Sequence, residues 1–191
     1  RTAIEEARQA RHDMRHQLNQ ISALAEAGDL EDLKSYLAKT VSRIPNLDMC
    51  FCENRAADSV VGYYCAMAKR DEIPFRARLD LPEALPVDEI DMCLVLSNLL
   101  ENALHASQKL PPEERQVKVL ARMLSPAMMG LMVENRYDGV LKKQGGVLHS
   151  TKHDGQGIGL VSVETAVHRY NGNLTVETGG NVFRANVLLN L

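Results

Sequence analysis

One mostly apolar segment carries its polar residues on a single helical face. In Ser97-Asn98-Leu99-Leu100-Glu101-Asn102-Ala103-Leu104-His105-Ala106, Asn98, Glu101, Asn102 and His105 fall at i, i+3, i+4 and i+7 of a helix whose other sides are hydrophobic. Such a helix has to be packed on most of its circumference, with its stripe turned toward a polar partner. Amide oxygens ligate a hard cation such as Mg²⁺ and amide nitrogens donate to phosphate oxygens, so asparagines at this spacing suit a metal nucleotide. Farther along stands Gly155-Gln156-Gly157-Ile158-Gly159-Leu160. Without Cβ atoms this backbone can approach phosphates closely, and it then enters a helix whose first N–H groups are free. Taken singly, the stripe also reads as a solvated face and the glycines as a plain turn. In this order and company they read as two halves of an ATP site.

The chain has 191 residues, 45% of them hydrophobic, enough for a substantial core in one domain or in a small module plus one domain. A net charge of −3 with dispersed basic residues gives no nucleic-acid surface, and no apolar run approaches the ~20 residues of a membrane span. The sequence opens without methionine inside a helical pattern, Arg1-Thr2-Ala3-Ile4-Glu5-Glu6. An upstream part is therefore expected, with room for a membrane sensor, and this portion is expected in the cytoplasm. Cys50, Cys52, Cys65 and Cys93 form no CxxC pair and stand among apolar residues, the pattern of small core residues in a reducing compartment. Cys50 and Cys52 alternate as in a strand with both thiols on one face, which argues against a metal site.

From Arg1 to about Ile44 the pattern is an α-hairpin. Ile4, Ala7, Arg11, Met14, Leu18, Ile21 and Ala25 recur at heptad spacing, followed by Leu30, Leu33, Leu37, Val41 and Ile44. Gly28 ends the first helix, and Asp29 caps the second with Asp32 at the capping-box position. Two helices of this length bury too little by themselves, so a second copy is expected to complete a four-helix bundle. Pro45 marks the boundary between residues 1–45 and 46–191. Beyond it, 54–69 reads as an amphipathic helix and 75–81 as a half-buried strand, with the asparagine helix starting at Asp88. Strands follow near 116–124 and 128–135, then a polar stretch over 136–156 that suits a lid or an ordinary loop. A helix over 157–170 and a hairpin through Gly179-Gly180 complete an α+β fold, with helices on one face of a mostly antiparallel sheet.

Within the hairpin, Arg11-His12-Asp13-Met14-Arg15-His16-Gln17-Leu18 puts His12 one position beyond the apolar seam, facing water. A neutral imidazole there can attack phosphorus. A neighbouring carboxylate such as Asp13 can hold its other N–H and stabilise the cation that develops.

The asparagine and glycine segments, with strands between and after them, resemble the N box and G box of the GHKL superfamily over about residues 46–191. That superfamily includes the ATP-binding domains of sensor histidine kinases, gyrase, Hsp90 and MutL. The resemblance implies a Bergerat-type α/β sandwich in which Asn102 ligates Mg²⁺, Asn98 lies near the phosphates and Gly155, Gly157 and Gly159 form the second glycine box. Lys152 then stands where a γ-phosphate contact is expected. Asn135 falls where most members carry an adenine-reading aspartate, and its side-chain oxygen can still accept from the adenine amino group without a charge. The Arg11-His12-Asp13 run is similar to the H-box of peptide-pheromone (quorum-sensing) sensor kinases of Gram-positive bacteria, with Arg15 in place of their usual asparagine and His16 matching their second histidine. By that likeness His12 is phosphorylated from ATP, Asp13 is its acid/base partner, and a response-regulator aspartate receives the phosphoryl group from a homodimer.

Two other readings remain open. A phosphotransferase or scaffold of the sporulation phosphorelay type pairs a helical hairpin with a GHKL-like domain that does not bind ATP. His12 and His16 at i, i+4 also resemble a zinc HExxH site, but Asp is short for that role, Arg15 is cationic and no third ligand is evident. Gyrase-type members place a glutamate base four residues before the metal asparagine. Here that position is Asn98, which favours transfer to another acceptor over hydrolysis.

Overall fold

Phe75, Ala77 and Leu79 alternate with the exposed Arg76, Arg78 and Asp80, so this segment can form a strand with one face in a core and the other in water. In the computed structural model, which describes Arg15 and residues 18–41, 50–139, 142–144, 147–149 and 158–191, it does so as β1 (Phe75–Asp80). The chain divides into two compact units, Arg1–Asn46 and Leu47–Leu191.

In the first unit, α1 is described over residues 18–26 and α2 covers Leu30–Val41. Gly28 takes φ +70, a left-handed conformation that costs glycine little, and the Asp32 amide donates to the Asp29 carboxylate at 3.2 Å. The reversal is thus made by the residues expected to make it. Leu18 and Leu30 are 58% and 64% exposed within the chain.

The second unit begins with α3 (Arg55–Arg70), whose N-cap Asn54 accepts from the Ala57 amide. After β1 come α4 (Glu89–Gln108), a 3-10 turn at Pro112–Glu114, β2 (Val117–Ser125) and β3 (Met128–Arg136). Two short strands, β4 (Lys142–Gln144) and β5 (Val147–His149), pair only with each other. Helix α5 (Ile158–His168) leads into the hairpin of β6 (Asn173–Gly179) and β7 (Val182–Asn190). The main sheet has the order β1-β2-β3-β7-β6. Among the described residues the β1–β2 pair of this sheet is parallel, as the crossover through α4 requires, and its other pairs are antiparallel.

Helices α3, α4 and α5 cover one face of this sheet, with α4 between the other two and against β3. Leu96 and Leu100 of α4 are wholly buried, as are Val61 of α3 and Val163 of α5. Each such side chain contributes roughly 1.5–3 kcal/mol on transfer from water. Turned to the sheet's open face, Glu134 accepts from Lys118 at 2.8 Å and from Arg184 at 2.9 Å. Both partners hold its carboxyl below the usual range against the opposing effect of burial.

The expected α+β architecture is the one observed, with three local corrections. Residues 50–54 are not a strand: the Asp58 carboxylate accepts from the amides of Phe51 (2.6 Å) and Cys52 (3.3 Å), which curls the chain over the start of α3. Nor are the cysteines core residues, since Cys50 is exposed and Cys52, Cys65 and Cys93 are half-buried. Burial still raises the last three thiols above their usual 9.0, so they stay protonated at neutral pH. The polar stretch after Arg136 also contains the β4–β5 ribbon, where a loop was expected.

Candidate functional site

Helix α4 starts where its sequence allows. Asp88 accepts from the amides of Ile90 (2.8 Å) and Asp91 (3.4 Å), a side-chain cap for two N–H groups the helix cannot satisfy. From there Val95, Leu96, Leu99, Leu100, Ala103 and Leu104 are buried on several sides, while Asn98 and Asn102 are half-buried one turn apart. The Asn98 Nδ2 donates to the Leu94 carbonyl at 2.8 Å. That bond fixes the amide and leaves Oδ1 pointing away from its own helix. Asn102 hydrogen-bonds no group among the described residues, and no buried side-chain nitrogen or oxygen among them lacks a partner.

What faces these amides is the first turn of α5. A Cβ placed on Gly159 would lie 3.0 Å from Asn98 Oδ1 and 3.3 Å from Asn102 Nδ2. Residues separated by nearly sixty positions in sequence meet here at a distance that only glycine accepts without displacement. The elements do this by packing antiparallel: Gly159 at the start of α5 lies against the middle of α4, and the residues following α5 reach the start of α4. The two side-chain amides, the missing Cβ and the first turn of a helix together offer a chemistry that fits phosphate oxygens and a hard cation.

Glu101 does not belong to this group. It is exposed and its charge acts on Tyr64 of α3. Burial first, and then Glu101, push the Tyr64 hydroxyl up to about 12, so it is a neutral phenol at working pH. His105 is half-buried farther along α4.

Asn135 lies at the end of β3, in register with Val117 and Phe183. It continues the row of Met129, Leu131 and Val133, all buried, and so faces the helix layer with only 4% of its surface exposed. Its Nδ2 donates to the Arg136 carbonyl at 3.0 Å, which leaves Oδ1 as the end of the amide not used in that bond. Ser107, in the last turn of α4, accepts from the Gln116 amide at 3.0 Å, and the Gln116 carbonyl accepts from Arg136. This chain ties the C-terminal half of α4 to the strand end that carries Asn135. Tyr137, 6% exposed, stacks edge-on with Phe183 at 6.2 Å between ring centroids. Sequence reasoning passed over this aromatic pair, although Tyr137 is two residues from Asn135 and Phe183 lies opposite it.

Of the residues expected to form the site, the structure brings Asn98, Asn102 and Gly159 together and puts Asn135 at the same end of the layer. His12, Asp13, Lys152, Gly155 and Gly157 lie outside the described residues. So do His16 and most of the polar stretch read as a lid.

A family model described as the GHKL domain matches residues 87–190, from just before α4 to the end of β7. Among solved structures, the catalytic domain of histidine kinase ThkA in a nucleotide-free form is similar at 18% identity and TM-score 0.57, over 72% of this chain and 91% of that one. The mycobacterial sensor histidine kinase MprB is similar at 19% identity and TM-score 0.53, over 69% of this chain and 93% of that one. Acinetobacter baumannii histidine kinase AdeS is similar at 18% identity and TM-score 0.50, over 91% of this chain and 81% of that one. No curated protein matches the sequence. At these identities the solved structures establish a shared fold.

Proposed function

Because the chain belongs to the GHKL domain family, we propose that it is the catalytic core of a two-component sensor histidine kinase. In this reading residues 46–191 bind ATP with Mg²⁺, and residues 1–45 form the dimerising hairpin that carries the phosphoacceptor His12. The observation that supports it most is the convergence of Asn98, Asn102 and Gly159, which sets two amides of one helix against the first turn of another. Asn102 would hold the metal, Asn98 and the segment of Gly155, Gly157 and Gly159 would lie along the phosphates, and Lys152 would meet the terminal one. Asn135 accepts from the adenine amino group through Oδ1. The bound cation supplies neutralisation of phosphate charge, and the protein supplies position.

The acceptor step follows from the same assignment. A ring nitrogen of His12 attacks the γ-phosphorus, the bond to the bridging oxygen breaks and ADP leaves, while Asp13 holds the N–H of the other ring nitrogen and stabilises the imidazolium. An amide at position 98 is no base for water, so hydrolysis competes poorly. The phosphoryl group then passes to an aspartate of a response regulator. The Arg11-His12-Asp13 run supports a place in the peptide-pheromone branch of such kinases. No described helix is long and apolar enough to cross a membrane.

Calorimetric titration of ATP with and without Mg²⁺, on the chain and on Asn102→Ala, tests the nucleotide half. The chain should bind Mg·ATP more tightly than ATP alone. The variant should melt at the same temperature and bind Mg·ATP roughly tenfold or more weaker, with the Mg²⁺ dependence gone. Absence of nucleotide binding in the unaltered chain would favour the phosphotransferase reading.

A further inference from the structure

The end of α5 remote from Gly159 carries a polar cluster that no part of the nucleotide chemistry uses. Tyr170, just past the helix, donates its hydroxyl to Asp91 Oδ2 at 2.9 Å and accepts from the Asp88 amide at 3.0 Å. Arg169 donates to the other Asp91 oxygen at 2.7 Å. Asp91 is 5% exposed, so both of its oxygens are committed inside the protein. Asp88 is the N-cap of α4 and Asp91 stands in its first turn. The cluster therefore joins the first turn of the asparagine helix to the two residues just past the glycine helix, across seventy-eight and seventy-nine positions of sequence.

We propose that Asp91, Arg169 and Tyr170 are positioning residues for the nucleotide site: by tying the C-terminal end of α5 to the N-terminal end of α4 they set where Gly159 sits over Asn98 and Asn102. This rests on the reading of that contact as the nucleotide cradle. The geometry is that of two antiparallel rods touching at two places, and the tie and the glycine contact stand about 15 Å apart along each helix. Between them the contact is apolar, made by residues such as Val163, Ala166 and Val167 of α5. Apolar packing resists separation but is tolerant of sliding. Directional bonds at one end supply the register that packing leaves soft. Register matters because a Cβ-sized change at Gly159 is already more than Asn98 and Asn102 accommodate at rest.

A tie serving stability alone would lower the melting temperature and leave nucleotide affinity unchanged, and this separates the two roles. Tyr170→Phe keeps the ring and removes both hydroxyl bonds. Arg169→Ala removes the ion pair and Arg169→Lys keeps a cation at that point. Val119→Ala, in β2, which β3 separates from the β7–β6 pair against α5, provides a core lesion elsewhere. All four are compared with the unaltered chain for Mg·ATP affinity by calorimetry and for amide exchange over Ser162–His168, at a temperature where melting curves show every protein folded. Positioning predicts an affinity loss of roughly tenfold in Tyr170→Phe and Arg169→Ala, faster exchange in α5, recovery of most of the loss in Arg169→Lys, and less than about twofold change in Val119→Ala. Unchanged affinity in Tyr170→Phe and Arg169→Ala, or an equal loss in Val119→Ala, would overturn it. If the unaltered chain binds no nucleotide, the functional reading fails by itself and exchange decides. Acceleration confined to α5 in Tyr170→Phe then upholds the tie as what positions this helix, and uniform or unchanged exchange overturns it.

Discussion

Gly159 is the second residue of α5, a place where alanine ordinarily favours the helix by about 0.5–1 kcal/mol. Here the added methyl would meet Asn98 Oδ1 at 3.0 Å and Asn102 Nδ2 at 3.3 Å. Both are ends of side chains, so the fold can yield, but only by turning the amides away from their present aim. Gly159→Ala should therefore shift the melting temperature by no more than a few degrees while weakening Mg·ATP binding roughly tenfold. Paired thermal melts and calorimetry check this, and an alanine variant that binds as well as the parent would dissociate the glycine from the site. Asn98 and Asn102 were legible in the sequence because two amides one turn apart on an apolar helix have no packing use. Glu101 sat on the same stripe by spacing, yet it acts on Tyr64. A stripe drawn at i, i+3, i+4 is wide enough to touch two neighbours, and spacing does not say which residue meets which.

Among the elements, β3 separates two roles by its pleat: Asn135 faces the helices and Glu134, one residue earlier, faces the open side with Lys118 and Arg184. The Glu134 carboxyl is depressed below 4.5 in the fold, chiefly by its bond from Lys118, then by Arg184, with burial opposing. A depressed carboxyl contributes stability that is fully present above the unfolded value and is lost as pH falls through the folded one. Glu134→Gln should thus cost about 1–2 kcal/mol at neutral pH, and the deficit should close as denaturation is followed to progressively lower pH beneath 4.5. A deficit independent of pH would assign the loss to packing. Elements with strong local signals were readable: the helix starts near Asn54 and Asp88, the alternation of β1, and the Gly179-Gly180 hairpin. Those governed by distant partners were not. The Cys50-Phe51-Cys52 alternation is three residues long, and the Asp58 carboxylate outweighs it. The β4–β5 ribbon has three-residue strands, too short for a periodic pattern. Asp91, Arg169 and Tyr170 carry no local mark at all, because their meaning lies in a contact across seventy-eight and seventy-nine positions.

At the scale of the whole molecule the chain is a helical unit and an α/β unit, and the proposed function assigns the nucleophile to the first and the nucleotide to the second. Leu18, Leu30 and Leu37, exposed on the described part of the hairpin, give it an apolar surface that a second copy would cover. Sedimentation should find a dimer, and Leu18→Glu with Leu37→Glu should convert it to monomer without altering the melting of the second unit. A monomeric parent would remove the bundle from the account. Family and fold concern the second unit, whereas the kinase reading depends on the two units meeting chemically. Incubation with γ-³²P-ATP and Mg²⁺ addresses that meeting directly, for the chain and for His12→Gln and Asn102→Ala. The account predicts an acid-labile, alkali-stable label on the chain that is lost in both variants. Label of the same stability persisting in His12→Gln would place the acceptor elsewhere, and a chain that binds Mg·ATP as a dimer yet takes no label would contradict the central claim.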